Sequence, residues 1–206
     1  YSKESVDLKA DNAHIYWPLW DAKLSWNGDR ILTENWPMKG MPPGFFTKLT
    51  ASFISIPWLA QTTSAKLSAQ ADKQLPDSEI YYSVVRLEYN QQRPEIPGTY
   101  LDIYIDKNDF MMRGIGFNIN HPAMVAKTNQ AIGSNFHVMK EYQLVNGLKI
   151  PAYYISYGKR PKGSLTSSAV HMVFDVQFNQ SFAKQMLNLS DKAAIDQQTK
   201  DWWLDK

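Results

Sequence analysis

The chain has 206 residues, 44% of them apolar and 20% charged, with 22 basic side chains against 20 acidic ones. These are globular values, so disorder is excluded as the main state, and the near-balance of charge lacks the basic stripe of a nucleic-acid binder. The absence of cysteine excludes disulfides, thiolate metal sites and cysteine nucleophiles, and no run of 18 apolar residues is present to span a membrane.

The N-terminal stretch Ile15-Tyr16-Trp17-Pro18-Leu19-Trp20 is rich in aromatic residues. It suits a cavity mouth, a partner surface or core packing. Asn27-Gly28 then separates Lys23-Leu24-Ser25-Trp26 from Arg30-Ile31-Leu32, a pattern that predicts a hairpin. The apolar, proline-rich segment Gly40-Met41-Pro42-Pro43-Gly44-Phe45-Phe46 reads as a lid. A helix is predicted over 44–56, preceded by Pro42 and Pro43 and ended by Pro57. Phe45, Leu49, Phe53 and Ile56 recur at helical spacing and form its core-facing stripe.

Strands follow. Tyr81, Val85, Leu87 and Tyr89 make one set, with Arg86 and Glu88 opposite. Leu101, Ile103 and Ile105 alternate with Asp102, Tyr104 and Asp106, and Met111, Ile115, Phe117 and Ile119 are expected to share a face. Lys107-Asn108-Asp109 joins these two runs as a tight loop. Gly114 and Gly116 fall inside a strand pattern, where glycine marks a bulge or a bend. Asn146-Gly147 is the strongest hairpin signal in the chain. A last strand is predicted over 170–178, with Val170, Met172, Phe174, Val176 and Phe178 on its buried side and His171, Asp175 and Gln177 on its wet side. Short helices are predicted over 122–131 and 181–187, and the tail 191–200 suits a helix, followed by an apolar anchor at Trp202, Trp203 and Leu204. The sum is a single α+β domain over 1–206: a curved antiparallel sheet of about nine to eleven strands covered by a few helices.

Several segments resemble a family of uncharacterised secreted bacterial proteins with a fold like the lipoprotein carriers LolA and LolB. The matching pieces are Leu24-Ser25-Trp26-Asn27-Gly28-Asp29, Phe53-Ile54-Ser55-Ile56-Pro57-Trp58-Leu59, Tyr82-Ser83-Val84-Val85-Arg86-Leu87, Tyr100 to Lys107, and Glu141 to Pro151. The resemblance implies a half-barrel closed by helices around a hydrophobic cavity. It also implies binding of acyl chains or another apolar ligand, without enzymatic activity.

The ligand-binding residues expected on that reading are Phe45, Phe46, Leu49, Phe53, Ile56, Trp58, Met111 and Phe117. The expected partner is a hydrophobic small molecule or acyl chain, with no nucleic acid, no cofactor and no metal. An envelope protein partner is the alternative, docked on the aromatics near Trp17 and Trp20. A monomer in the periplasm or outside the cell is expected. The start at Tyr1 reads as a trimmed chain that has lost a signal peptide or lipid anchor.

Catalytic motifs are absent from the sequence. The four histidines, His14, His121, His137 and His171, form no His-Glu-x-x-His string. His137 and His171 fall on predicted strands that could bring them together. Asp102, Asp106 and Asp109 lack the spacing of a calcium loop and are read as hairpin residues.

Overall fold

The computed structural model describes residues 2–7, 12–27, 31–37, 43, 56, 60–61, 65–89, 100–119, 132–159, 165–173, 175–178 and 194–195. Its strands are β1 (Lys3–Asp7), β2 (Asn12–Trp17), β3 (Ala22–Asn27), β4 (Ile31–Glu34), β5 (Ala65–Gln74), β6 (Tyr81–Tyr89), β7 (Tyr100–Ile105), β8 (Met112–Ile119), β9 (Ile132–Val145), β10 (Leu148–Lys159), β11 (Leu165–Met172) and β12 (Ala194–Ile195). The expected single sheet is divided in two among the described residues. One sheet has the order β1-β2-β3-β4-β12, and the other runs β11-β10-β9-β8-β7-β6-β5. Every pairing among them is antiparallel, and all but β4–β12 join strands consecutive in the chain.

The turn chemistry acts where the sequence places it. Asn146 and Gly147 both have positive φ, 49° and 82°, and Val145 pairs with Leu148 across them. That geometry matches the twist of the long β9–β10 hairpin. Between β7 and β8, the Asp106 carboxylate accepts the Asn108 backbone N–H and the Asp109 carboxylate accepts that of Met111. Both are local aspartate turns. Trp26 pairs with Ile31, so the hairpin predicted at Asn27-Gly28 is present between β3 and β4.

Cross-strand register sorts the seven-strand sheet into two faces. Leu87, Leu101, Ile115 and Phe117 share one face with His137, all of them buried. Val84, Tyr104 and Val138 lie on the other. Glu4 of β1 acts electrostatically on Tyr154 of the first face, which is therefore the inner one.

The outer face is covered by the tip of the β5–β6 hairpin. A bulge between Gln70 and Lys73 turns the end of β5 across the sheet. Lys73 then reaches Asp102 on β7, Leu75 lies over Gly114 on β8, and Asp77 pairs with Lys140 on β9. Leu75 packs in one apolar cluster with Tyr82, Val84, Tyr104 and Val138. The two strand glycines make the room. A Cβ at Gly114 would stand 2.9 Å from the His137 carbonyl oxygen and 2.9 Å from Leu75, and one at Gly116 would stand 3.2 Å from the Phe136 ring. Phe136 and Tyr104, from the strands flanking β8, meet edge to face with centroids 6.1 Å apart.

Two further expectations are corrected. β11 ends at Met172, and Val170 and Met172 are 62% and 75% exposed, so the side expected to be buried is exposed, as are Ala169 and His171 on the other side. The apolar alternation was sound, but β11 is the last strand of its sheet and the covering hairpin tip lies over β7, β8 and β9 instead. Ala194 and Ile195, in the tail expected to be helical, pair with Thr33 and Leu32. Their backbone groups are thus satisfied by a sheet edge. The helices expected to cover the sheet are not seen among the described residues. Pro43 and Ile56 are helical, and the Ala60 N–H donates to the Ile56 carbonyl at 3.0 Å. The rest of 44–56, and the segments 122–131, 181–187 and 202–204, lie outside the described residues.

The Gly114 contact is with backbone, which cannot step aside, whereas the Gly116 contacts are with rings that can turn. Gly114→Ala is therefore expected to destabilise the fold by about 1–3 kcal/mol and Gly116→Ala by less, as measured by urea unfolding. Equal costs at the two positions would remove this account of the outer face.

Candidate functional site

The inner face of the seven-strand sheet carries the densest grouping of chemically capable side chains. β8, β9, β10 and β11 are consecutive neighbours, and their register brings Phe117, His137, Tyr154, Ser156 and His171 together. The His137 ring stacks on Phe117 with centroids 5.1 Å apart and meets the edge of Tyr154 at 5.1 Å. Tyr154 stacks on His171 at 4.5 Å, nearly parallel. The two histidine rings lie 6.1 Å apart, so the strands do bring them together. Nδ1 of His137 and Oγ of Ser156 are 2.7 Å apart.

Burial dominates the electrostatics. His137 is 5% exposed, and burial, helped by nearby His171, pushes its pKa down to about 3. Burial also lowers His171. Burial raises the Tyr154 phenol, and the Glu4 carboxylate raises it further. At neutral pH these groups are therefore uncharged. A neutral imidazole bonded to a serine hydroxyl offers polar anchoring inside an apolar wall.

A second feature is a surface cleft lined by Asp109, Met111, Arg113, Tyr142, Leu144 and Lys149. The Arg113 guanidinium is bonded to Asp106 and Asp109 and lies over the Tyr142 ring. The Tyr142 hydroxyl donates to the Met112 carbonyl. The Asn108 backbone N–H and Arg113 hold the Asp106 carboxyl below the usual carboxylate range. Asp102 stands apart, on the outer face. Burial would raise its pKa, but hydrogen bonds from Arg86 at 2.6 Å and Lys73 at 3.0 Å outweigh that and lower it. The acidic residues are thus two turn residues and one ion-pair hub.

The expected ligand residues are scattered by comparison. Phe117 is in the inner-face cluster, and Ile56 is buried. Met111 precedes β8 and lines the surface cleft, so it does not join Phe117 on one face. The register shift between Tyr104 and Ile105 breaks the period-2 pattern at that point. Phe45, Phe46, Leu49, Phe53 and Trp58 lie outside the described residues. The aromatic N-terminal stretch is split: Ile15 is buried and Trp17 packs against Trp36 at 5.6 Å, while Leu19 and Trp20 are 79% and 48% exposed. Sequence reasoning missed Tyr154 and Ser156. The Asn146-Gly147 hairpin register could have found them, because it fixes which β10 residues oppose His137 and Met139.

Among the described residues, no three metal-ligating side chains come together, and no helix is long and apolar enough to cross a membrane. No family model matches the chain, and no curated protein matches it. Two solved structures are similar in shape. One is a LolA superfamily protein from Nitrosomonas europaea, 9% identical, with 80% of this chain and 74% of that one covered at a TM-score of 0.45. The other is described as a "putative outer membrane lipoprotein-sorting protein domain" from Vibrio parahaemolyticus, 10% identical, with 90% and 82% covered at a TM-score of 0.47. At this degree of overlap neither likeness bears on what the chain binds.

Because His137 stays neutral in the fold but takes up a proton when unfolded, its contribution is complete above the unfolded value near 6.5 and is lost as pH falls toward about 3. The urea midpoint is expected to drop between pH 7 and pH 4. His137→Gln is expected to flatten that drop while lowering stability at pH 7. An unchanged slope in the variant would show that His137 is not a source of the acid sensitivity.

Proposed function

We propose that this chain is a non-enzymatic binding protein for a hydrophobic ligand, a lipid or the acyl chains of a lipoprotein, in the bacterial cell envelope. One observation carries the reading. On the inner face Leu87, Leu101, Ile103, Ile115 and Phe117 are buried together as a continuous apolar layer beside the polar cluster of His137, Tyr154 and Ser156. Ligand sites for apolar molecules combine such a layer with a few placed polar groups, and binding follows from removing apolar surface from water. Within this reading Phe45 and Phe46 cap the ligand as a lid.

Native mass spectrometry of freshly purified protein, with extraction of anything bound, tests the proposal. A bound lipid, or uptake of a long-chain fatty acid by the emptied protein, is expected. Phe117→Leu keeps the core filled and is expected to weaken that uptake about tenfold, or about 1.4 kcal/mol. Phe46→Ala with unchanged affinity would remove the lid. A protein that is isolated empty and also refuses fatty acids and lipopeptides would overturn the binding reading. That result would leave the envelope interaction protein, which the exposed Leu19 and Trp20 favour.

A further inference from the structure

The β9–β10 hairpin projects past the start of β8. Gly114 on β8 pairs with Val138, whereas β9 runs on to Val145 and pairs there with β10, Tyr142 with Pro151 and Val145 with Leu148. The β7–β8 turn folds against this projection. The Tyr142 hydroxyl donates to the Met112 carbonyl, and the Arg113 guanidinium lies 5.5 Å from the Tyr142 ring centroid. Turn and hairpin thereby flank the surface cleft described above, whose volume is about 320 Å³. That is the small end of the range for ligand sites.

The lining offers both signs of charge beside apolar surface. Lys149 is exposed and forms no ion pair with a described residue. Asp109 accepts the Met111 backbone N–H at 3.0 Å and one N–H of Arg113, and its side chain stays 44% exposed. A carboxylate has about four acceptor sites, so Asp109 has room for another donor. Arg113 also donates to Asp106 at 3.2 Å. The four charges, Asp106, Asp109, Arg113 and Lys149, therefore sum to zero. A simple anion meets Asp109 and a simple cation meets Lys149, so only a ligand carrying both signs is attracted at both ends. The apolar part is supplied by Met111 and Leu144 in the lining, with Leu144 exposed. Phe110, between Asp109 and Met111, is exposed too, and its φ of 58° is one a bulky residue seldom adopts.

We propose that this cleft binds a zwitterion with an apolar body, its ammonium on Asp109, its oxyanion on Lys149 and its body against Met111 and Leu144. Free apolar α-amino acids and ethanolamine phospholipids share that chemistry. None of these residues belongs to the inner-face cluster, so the site stands independently of the binding proposed there.

The test is a titration of ¹⁵N-labelled protein, read amide by amide in NMR spectra, with L-leucine and with dihexanoylphosphatidylethanolamine. Amides of 109–113 and 142–149 are expected to shift with a Kd of about 1–10 mM for at least one of the two, and the tighter ligand identifies the source. An exposed ion pair is worth up to about fivefold in affinity. Lys149→Gln is therefore expected to weaken the binding about fivefold, Lys149→Arg to retain it, and Lys66→Gln on β5 to leave it unchanged. Acetyl-leucine and leucine amide, each with one charge removed, are expected to bind about fivefold more weakly than leucine if leucine is the tighter ligand. Asp109→Asn keeps the acceptor for Met111 and is expected to match the loss at Lys149; if it disturbs the turn, the Lys149 pair carries the test. No shift of these amides at about 10 mM of either ligand, acetyl-leucine binding as well as leucine, or binding indifferent to Lys149→Gln would overturn the proposal.

Discussion

The seven-strand sheet depends on a gap in one of its own strands. β8 has no side chain on the outer face at Gly114 and Gly116, and its neighbours fill the space: Leu75 over the first, Phe136 and Tyr104 over the second. A side chain at Gly114 would lift the β5–β6 hairpin tip away from the sheet, and one at Gly116 would displace the Phe136 and Tyr104 rings. With the tip in place, Lys73 satisfies Asp102 and Asp77 satisfies Lys140, so the ion pairs sit at the ends of a strap whose middle is apolar. The Tyr104 phenol under that strap is pushed up to about 12, chiefly by burial.

The two faces differ. Among the described residues the outer face is covered by the protein's own hairpin over β7, β8 and β9, while Val170 and Met172 on β11 are exposed. The inner face is left to carry the continuous apolar layer. Its polar groups are held neutral, because burying a charge there would cost far more than burying a hydrogen-bonded neutral pair. On the reading proposed above, such a site would recognise shape and apolar surface, with the His137–Ser156 pair and Tyr154 supplying orientation.

Much of the fold was legible in the residues. Asn146-Gly147 and Lys107-Asn108-Asp109 specify turns through local chemistry, and the structure has both turns where that chemistry requires them. Gly114 and Gly116, expected to mark a bulge or a bend, instead make room for Leu75, Phe136 and Tyr104. What alternation could not supply was which side of a strand is covered, since that depends on distant segments. At β11 the pattern of Val170 and Met172 is correct as a pattern, yet the covering hairpin does not extend to it. At Met111 the period-2 rule failed because a bulge intervenes, and bulges leave little trace in a single sequence.

The candidate site was legible only in part, and for a related reason. Two of its members, His137 and His171, stand out because histidines are few, and adjacent strands were the natural way to bring them together. Tyr154 and Ser156 are ordinary strand residues, and their importance comes wholly from register. A hairpin fixes that register to the residue: Val145 opposite Leu148 obliges His137 to face Ser156 nineteen positions along the chain. The same register sets Val170 opposite Ile155 on the other face. One turn, Asn146-Gly147, thus governs both the polar cluster within and the placement of Val170 without, so a slip of one residue there would exchange the two faces of β10 and abolish both.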